Sequence, residues 1–555
     1  SGFADIESRK GVNYAAHSST LLFHADVYGN SMTNLLAGKN RSSIWPWERR
    51  LVTIVVIVLF ALAYSQAPLF TSNQNQYFLH GAADAGVGTL ESDWLANTVD
   101  PTPVFTALVG LTFILKLPAL FHVYYTLLLG VYLYSLWGLL LEALQPGWNR
   151  LQRWIVLLVL ISAHSFAMRF GLSRVFGQEW RYILEGGFAG QRLLGTVFQP
   201  STFGVFILLG ILLFIRDMPV LAVFSVVAAA TVHPTYLLSA GLVIASFMLV
   251  SAIEDRSLRR AFFIGILALA LVGPILCYVQ ARFRPTSPLL SELASRILVE
   301  ERIPGHILLE EWINPTVLFQ SIFILTAIWI FRKRPIAKIM MVITTGVVLL
   351  TFLQIETDNQ RLALLFPWRP SALLVPLASS LLLGFMADKL FHSSSLGHGQ
   401  HRRLILGITW GTLFVLAALG VASYLHDLRN KKLDTARPMF EFIRSNHLEG
   451  DRYFIPPKQQ DFRLATGAPV MVDFKSIPYV DEEVIEWFER LRVAQNFYRE
   501  QVGEWSCGLI DKAVALGGIN HVVLGPDQLD LECSRFSELI FSDGSYRVYR
   551  LDLTD

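Results

Sequence analysis

A chain of 555 residues with 53% hydrophobic and only 16% charged side chains excludes an ordinary soluble enzyme, which carries about 25% charge. The net charge of +2 gives no footing for nucleic acid, and three cysteines exclude a disulfide scaffold and a cysteine-ligated metal site. The charge is also uneven, with 10 charged residues in 1–50, 38 in 427–555 and 42 in the 376 positions between. The middle reads as membrane and the tail as a soluble domain.

The first 45 residues are polar and lack the short apolar core of a signal peptide. A helix needs about 20 apolar residues to cross the hydrocarbon. Eleven segments are candidates: 51–70, 119–141, 154–169, 200–215, 218–232, 234–252, 260–280, 316–331, 337–355, 370–390 and 404–425. Segment 103–118 is read as an interfacial helix within the first loop. Cytoplasmic loops collect Lys and Arg. Arg41, Arg49 and Arg50 put the N-terminus inside, and Arg150 and Arg153, Arg256 to Arg260, Arg332 to Arg334 and Arg402 and Arg403 then fall on the same side. Loops 71–118, 170–199 and 281–315 are external, and so is the tail. The expected division is a cytoplasmic segment 1–50, a membrane bundle 51–426 and an external domain 427–555.

The tail has the pattern of a small α/β domain. MFEFIRSNH reads as helix, RYFIPP as extended chain and HVVLGP as a buried strand. VDEEVIEWFERLRVAQNFYREQ places Val484, Trp487, Phe488 and Leu491 on one helical face. IFSDGSYRVYRL reads as a hairpin around Asp543–Gly544. Cys507 and Cys533 are expected to lie close enough for a disulfide in an oxidising compartment, with Cys277 a free, packed thiol.

Five polar patches gather on the side of the tail: residues 73–105, 169–201, His233–Tyr236, 281–315 and 356–371. In the first, Asp84 and Asp93 could act as general base or hold a divalent cation, Mg or Mn. Solvated loop acids are the bland alternative. Asn75, Gln76, His80 and Trp94 supply the hydrogen-bonding groups and the stacking surface that suit a sugar. Arg361 and Arg369 sit at span mouths, with Pro367, Trp368 and Pro370 stiffening the approach. Arginine there binds phosphate bidentately or snorkels to headgroups. Arg192, beside Glu185 and Gln191, poses the same choice, and His233 is a helix-end residue or a catalytic one. No Walker loop, zinc helix or nucleophile elbow is present.

One N-terminal span, a long acidic first loop, a multi-span bundle and an external α/β tail resemble the GT-C superfamily of polytopic membrane glycosyltransferases. The segments FLHGAADAGVGTLESDWL, GGFAGQRLLGTVFQPSTFG, TVHPTYLLSA, FPWRPSALLVP and FRLATGAPVMVDFKSIPY are similar to those of a bacterial branch of such proteins. The resemblance implies a mostly α, GT-C-like bundle of about 11 transmembrane helices in a bacterial inner membrane, taking a sugar from a polyprenyl-phosphate carrier. It puts the carboxylate base on Asp93 or Asp84, with Asp93 favoured, and the donor phosphate on Arg361, Arg369 and Arg192. The first loop departs from the family's close acidic pair, which leaves base and metal open. The alternative is a non-catalytic scaffold or accessory subunit that keeps this architecture and binds other membrane subunits.

Overall fold

The computed structural model describes residues 46–393, 402–499, 505–528 and 531–553. The polar N-terminal segment, with Arg41, lies outside the described residues. By compactness the chain divides after Val55, and Val56–Asp555 form one unit in which the bundle and the tail are not separate bodies.

The chain is mostly helical. Six helices are long and apolar enough to cross a membrane: Leu120–Leu144, Pro234–Ile253, Leu258–Arg282, Pro335–Thr357, Ser371–His392 and Arg403–Lys432. A seventh crossing is available if Arg150–Ala163 and Phe166–Phe176, bent by 54° at their junction, count as one broken span. The break has a local cause. The Ser165 side chain accepts a hydrogen bond from the Met168 backbone, which starts a new helix where the first one ends. The segments expected at 51–70, 200–215, 218–232 and 316–331 fall on shorter apolar helices, as does Pro103–Ile114 in the first loop.

Burial sorts these helices into layers. In Leu120–Leu144 and Ser371–His392 the most apolar stretch is 67% buried, against 17% in Leu258–Arg282. Phe262, Phe263, Ile266 and Leu269 stand exposed on that outer helix. An apolar surface of this extent belongs in lipid. Cys277 lies on the same helix and is free but exposed. The expected packed thiol is therefore a surface one, because this helix is covered by protein along so little of its length.

The tail carries a four-stranded sheet in the order β1-β2-β4-β3. β1 (Tyr453–Phe454) pairs parallel with β2 (His521–Leu524), β2 pairs antiparallel with β4 (Arg547–Leu551), and β3 (Phe536–Ser542) closes a hairpin with β4. The helix Asp481–Arg499 buries Val484, Trp487, Leu491 and Ala494, while Phe488 stays at the margin. Cys507 and Cys533 form a disulfide with a Cα separation of 5.8 Å.

This core is not made by the tail alone. Ala294 and Ile297 from the loop helix Pro288–Ile297 are buried in it, and Trp94 from the first loop packs against it. The first loop and the tail also touch backbone to backbone. Thr89 donates its N–H to the Gly467 carbonyl at 2.9 Å. A Cβ on Gly88, at φ +59°, would stand 2.2 Å from that same oxygen, so only glycine fits there.

Candidate functional site

The turn Phe366–Pro367–Trp368–Arg369–Pro370 ends just before the helix Ser371–Ser393. Trp368 anchors it, fully buried, with its indole N–H donating to the His306 carbonyl at 3.1 Å and its ring 5.1 Å from Trp312. Arg369 projects from this anchored turn. One guanidinium nitrogen donates to Thr235 Oγ1 at 2.6 Å and reaches His233 Nε2 at 3.3 Å. The guanidinium also lies 5.0 Å from the Phe366 ring and 5.5 Å from that of Tyr236.

Two features set this arginine apart. Its Nε is buried and makes no hydrogen bond. Among the described residues, no carboxylate stands within ion-pairing distance of it. A guanidinium can only donate, so His233 Nε2 is the acceptor and the imidazole proton sits on Nδ1. That nitrogen is likewise buried and without a partner, in a side chain only 3% exposed. Buried polar groups are ordinarily hydrogen-bonded. Arg369 Nε and His233 Nδ1 are thus two buried donors with no acceptor among the described residues. Arg369 precedes one helix N-terminus and His233 and Thr235 precede that of Leu237–Ile253, so two positive dipole ends add to the field.

More positive charge lies nearby. Arg302 donates to the Lys475 carbonyl at 2.7 Å, lies 5.1 Å from the Phe474 ring and leaves its own Nε unpartnered. Arg192 lies 4.1 Å over the Tyr182 ring. His306 Nδ1 meets the Ala189 carbonyl at 2.5 Å. Desolvation and the charges of Arg369, Arg192 and Arg302 hold the His306 imidazole below its ordinary pKa, against the pull of that hydrogen bond. Lys475 is lowered to about 8, first by desolvation and then by Arg302 and Arg192, with Asp473 opposing. Tyr77 and Tyr479 are the shared electrostatic neighbours of Arg302 and Arg369. The Tyr479 hydroxyl is fixed by Gln76 Nε2 at 2.6 Å, and Tyr77 meets His233 edge to face at 6.0 Å.

The structure brings Arg369, His233 and Gln76 into this cluster, with Trp368 as its anchor and Arg192 within its field. It places Asp93 elsewhere. Asp93 is fully buried: Oδ1 accepts the Leu95 N–H at 2.9 Å, and Oδ2 accepts Arg463 Nε at 2.7 Å and the Val470 N–H at 2.9 Å. Arg463 also binds Asp473. Fully buried and accepting three hydrogen bonds, this carboxylate faces no solvent-accessible space in which a hydroxyl could react. Trp94 goes with it, its ring under Arg490 at 4.4 Å. Glu185 pairs with Arg169 at 2.9 Å inside the bundle, where both are nearly inaccessible.

The remaining expected residues make contacts of their own. Arg361 is exposed, reaching the Pro288 carbonyl at 3.4 Å. Asp84 is exposed at the end of the short helix Leu79–Asp84. Asn75 is buried with both amide atoms unpartnered. His80 meets the Thr98 carbonyl at 3.2 Å and, with Gln76 and Tyr479, borders a cavity of about 10 Å³, room for one water. Gln191 is buried in a turn that its carbonyl closes onto the Gly187 N–H at 2.7 Å.

No group of three or more His, Cys, Asp or Glu among the described residues is arranged to hold a metal ion. With Asp93 committed to Arg463, the described residues do not fit a divalent cation. Sequence reasoning passed over Arg302, Lys475, His306, Tyr77 and Tyr479. No charge excess marks them in the sequence: the patch 281–315 holds four arginines against five glutamates, and the tail segment 473–479 one lysine against one aspartate.

Residues 434–494 match a family described as "Domain of unknown function (DUF6798)", a stretch of 61 of the 555 residues that includes Arg463, Asp473, Lys475 and Tyr479. A search of the curated proteins finds no match.

Proposed function

We propose that this protein is an integral membrane glycosyltransferase of GT-C type, with eleven spans in a bacterial inner membrane, which binds a polyprenyl-phosphate-linked sugar at the Arg369 cluster. The N-terminus is then cytoplasmic, and the cluster and the tail face the exterior. The observation that carries this reading is Arg369 itself, a cation held by neutral groups, with Arg369 Nε and His233 Nδ1 both lacking an acceptor. A phosphate supplies what is missing, a negative charge and several acceptor oxygens that match a guanidinium bidentately. The atoms Arg369 Nε and His233 Nδ1 are buried, so the attraction there is stronger than it would be in bulk solvent. The cluster lies at the N-terminal ends of two helices, Pro234–Ile253 and Ser371–His392, long enough to be spans, which is where a lipid phosphate comes to rest.

In this reading Arg369 and Thr235 hold the donor phosphate and neutralise it as the glycosidic bond to the carrier breaks. Gln76 and Tyr479 border the side on which the sugar would project. Asp84 is left as the candidate base, being exposed with no fixed partner, and Asp93 becomes a structural residue. The test is binding and transfer by purified protein. Polyprenyl phosphate should bind the wild type, and Arg369→Ala should lose that binding while unfolding at an unchanged temperature. Equal binding by both proteins would reject the assignment.

One observation favours the second reading, a non-catalytic lipid-binding scaffold. The carboxylate that best matches a GT-C base by position, Asp93, is spent on Arg463. The scaffold reading expects lipid binding with no transfer to any acceptor, and unchanged behaviour in Asp84→Asn.

A further inference from the structure

We infer that His164 and Glu185 form a proton-binding site inside the helical bundle, in which one proton taken up from solvent is held between the imidazole Nδ1 and the carboxylate Oε2. Neither residue belongs to the Arg369 cluster, and the inference stands whether or not that cluster binds a phosphate. The site lies at the 54° break between Arg150–Ala163 and Phe166–Phe176. His164 follows the first of these helices, Arg169 lies in the second, and Glu185 comes from the turn beyond. His164 and Arg169 are 1% exposed and Glu185 is 5% exposed. Ionisable side chains buried in an apolar bundle are costly, and where they occur they mark proton relays and ion pathways.

Arg169 engages only half of its partner. One guanidinium nitrogen donates to Glu185 Oε1 at 2.9 Å and the other to the Tyr64 carbonyl, and the group stands 4.1 Å over the Tyr64 ring and 5.8 Å from that of Tyr182. Glu185 Oε2 is left buried without a hydrogen bond. His164 Nδ1 stands 3.6 Å from it, too far for a hydrogen bond but within ion-pairing distance. The shorter contact of Nδ1, at 3.1 Å, is to the Tyr132 hydroxyl. With Tyr132 donating, the neutral ring carries its proton on Nε2, and Nδ1 and Oε2 are two lone-pair atoms facing each other across an empty gap. His164 Nε2 is buried without a partner in any protonation state, so Oε2 decides which state is complete. A second proton gives Oε2 its donor. The imidazole is the stronger base, so the proton rests on Nδ1 and the carboxylate accepts from it. No other covalent bond changes, and a charge-assisted hydrogen bond of about 2.7–2.9 Å takes the place of the gap.

The surroundings leave this carboxylate to the imidazole. Besides Arg169, the titratable groups around the pair are tyrosines: Tyr132, Tyr64 with Tyr125 at 6.4 Å from it, and Tyr182, which lies under Arg192. Arg174 and Glu179 stand exposed. The helices Ser371–Ser393 and Arg402–Lys432, which pack on the broken span, carry their charged residues only toward their ends. Glu185 also opens a turn in which the Gly186 carbonyl accepts from Gln320 Nε2 at 2.9 Å and the Phe188 N–H donates to Ser371 Oγ at 2.8 Å. A proton held at Oε2 therefore acts at the root of the turn that meets the Ser371 helix.

The experiment uses the full chain in lipid bilayers with isotope-labelled histidine, and solid-state NMR to read which ring nitrogens carry protons. Subtracting the spectrum of His164→Gln identifies the His164 signals. The wild type should show one ring proton at pH 8.5 and a proton on both nitrogens at pH 5. Glu185→Gln should lower the doubly protonated fraction at pH 5 at least tenfold. Where that change strands Arg169 and the chain fails to fold, Glu185→Gln combined with Arg169→Met removes both charges and carries the same expectation. A ring with a single proton at both pH values, on whichever nitrogen, would overturn the site. Uptake that persists undiminished without the Glu185 charge would overturn it as well, because the histidine would then titrate without the carboxylate.

Discussion

Arg463 joins Asp93 to Asp473, donating to the first across 2.7 Å and to the second from its other face, with all three side chains inaccessible to solvent. This guanidinium therefore ties the first loop to the tail, alongside the hydrogen bonds Thr89–Gly467 and Val470–Asp93. Removing one partner of such a network strands a buried charge, which costs about 3–5 kcal/mol. Asp93→Ala should lower the unfolding temperature measured in detergent and open the tail to limited proteolysis. Loss of activity with unchanged stability would instead restore Asp93 as a reacting group.

Arg361 and Arg369 are indistinguishable as neighbours in sequence, yet the structure separates them. Arg361 is exposed and holds one long contact, whereas Arg369 stands among aromatic rings with no carboxylate in ion-pairing distance among the described residues. Hydrogen bonds to charged groups contribute about 1.5–3 kcal/mol. Arg369→Ala should therefore weaken polyprenyl phosphate by tenfold or more, and Arg361→Ala by less than twofold, when titrated side by side. Comparable losses would move the site toward the surface.

Lys475 gives a pH signature in the absence of ligand. Its folded pKa, about 8, lies below the ordinary lysine value of 10.5. Between those values the unfolded chain binds more protons than the folded one, so stability rises with pH across that window. The wild type should gain stability relative to Lys475→Met as the buffer is raised from pH 7.5 to 10. Parallel curves would mean that the lysine is solvated.

The disulfide spans 26 residues of the tail, a loop length for which chain entropy suggests roughly 3 kcal/mol. Reduction, or the double change Cys507→Ser with Cys533→Ser, should lower the stability of the tail sheet without affecting binding at Arg369. Lost phosphate binding on reduction would show that the tail's stability reaches the site.

The proposed topology places Arg332–Arg334 and Arg403 in the cytoplasm, with the tail outside. Cysteines introduced beside these basic clusters should resist a membrane-impermeant maleimide on intact cells, while one at Asp511 reacts. Labelling at Asp511 only after permeabilisation would reverse the orientation.

Much of the architecture was legible because its signals are local. Apolar runs mark their own helices, and the three-to-four spacing of Val484, Trp487 and Leu491 marks a buried helical face. The hairpin around Asp543–Gly544 announced itself by its turn residues. The site was legible only where a single segment carried it, as with His233 and Arg369. Whether a carboxylate is free or committed depends on partners far along the chain, and Asp93 meets Arg463 across 370 positions. The same is true of Cys277, whose exposure is decided by which helices leave its face uncovered.

The tail's core includes Trp94, Ala294 and Ile297, residues made long before it. The tail is synthesised after these residues and has to find surfaces prepared far earlier, and until it arrives they stay uncovered. A tail cut free at residue 427 would lose part of its own interior, and a bundle cut at the same place would keep apolar side chains with nothing to cover them. In evolutionary terms neither half can be exchanged without the other. A substitution at Ala294, remote in sequence from residues 434–494, should be constrained as though it belonged to that domain.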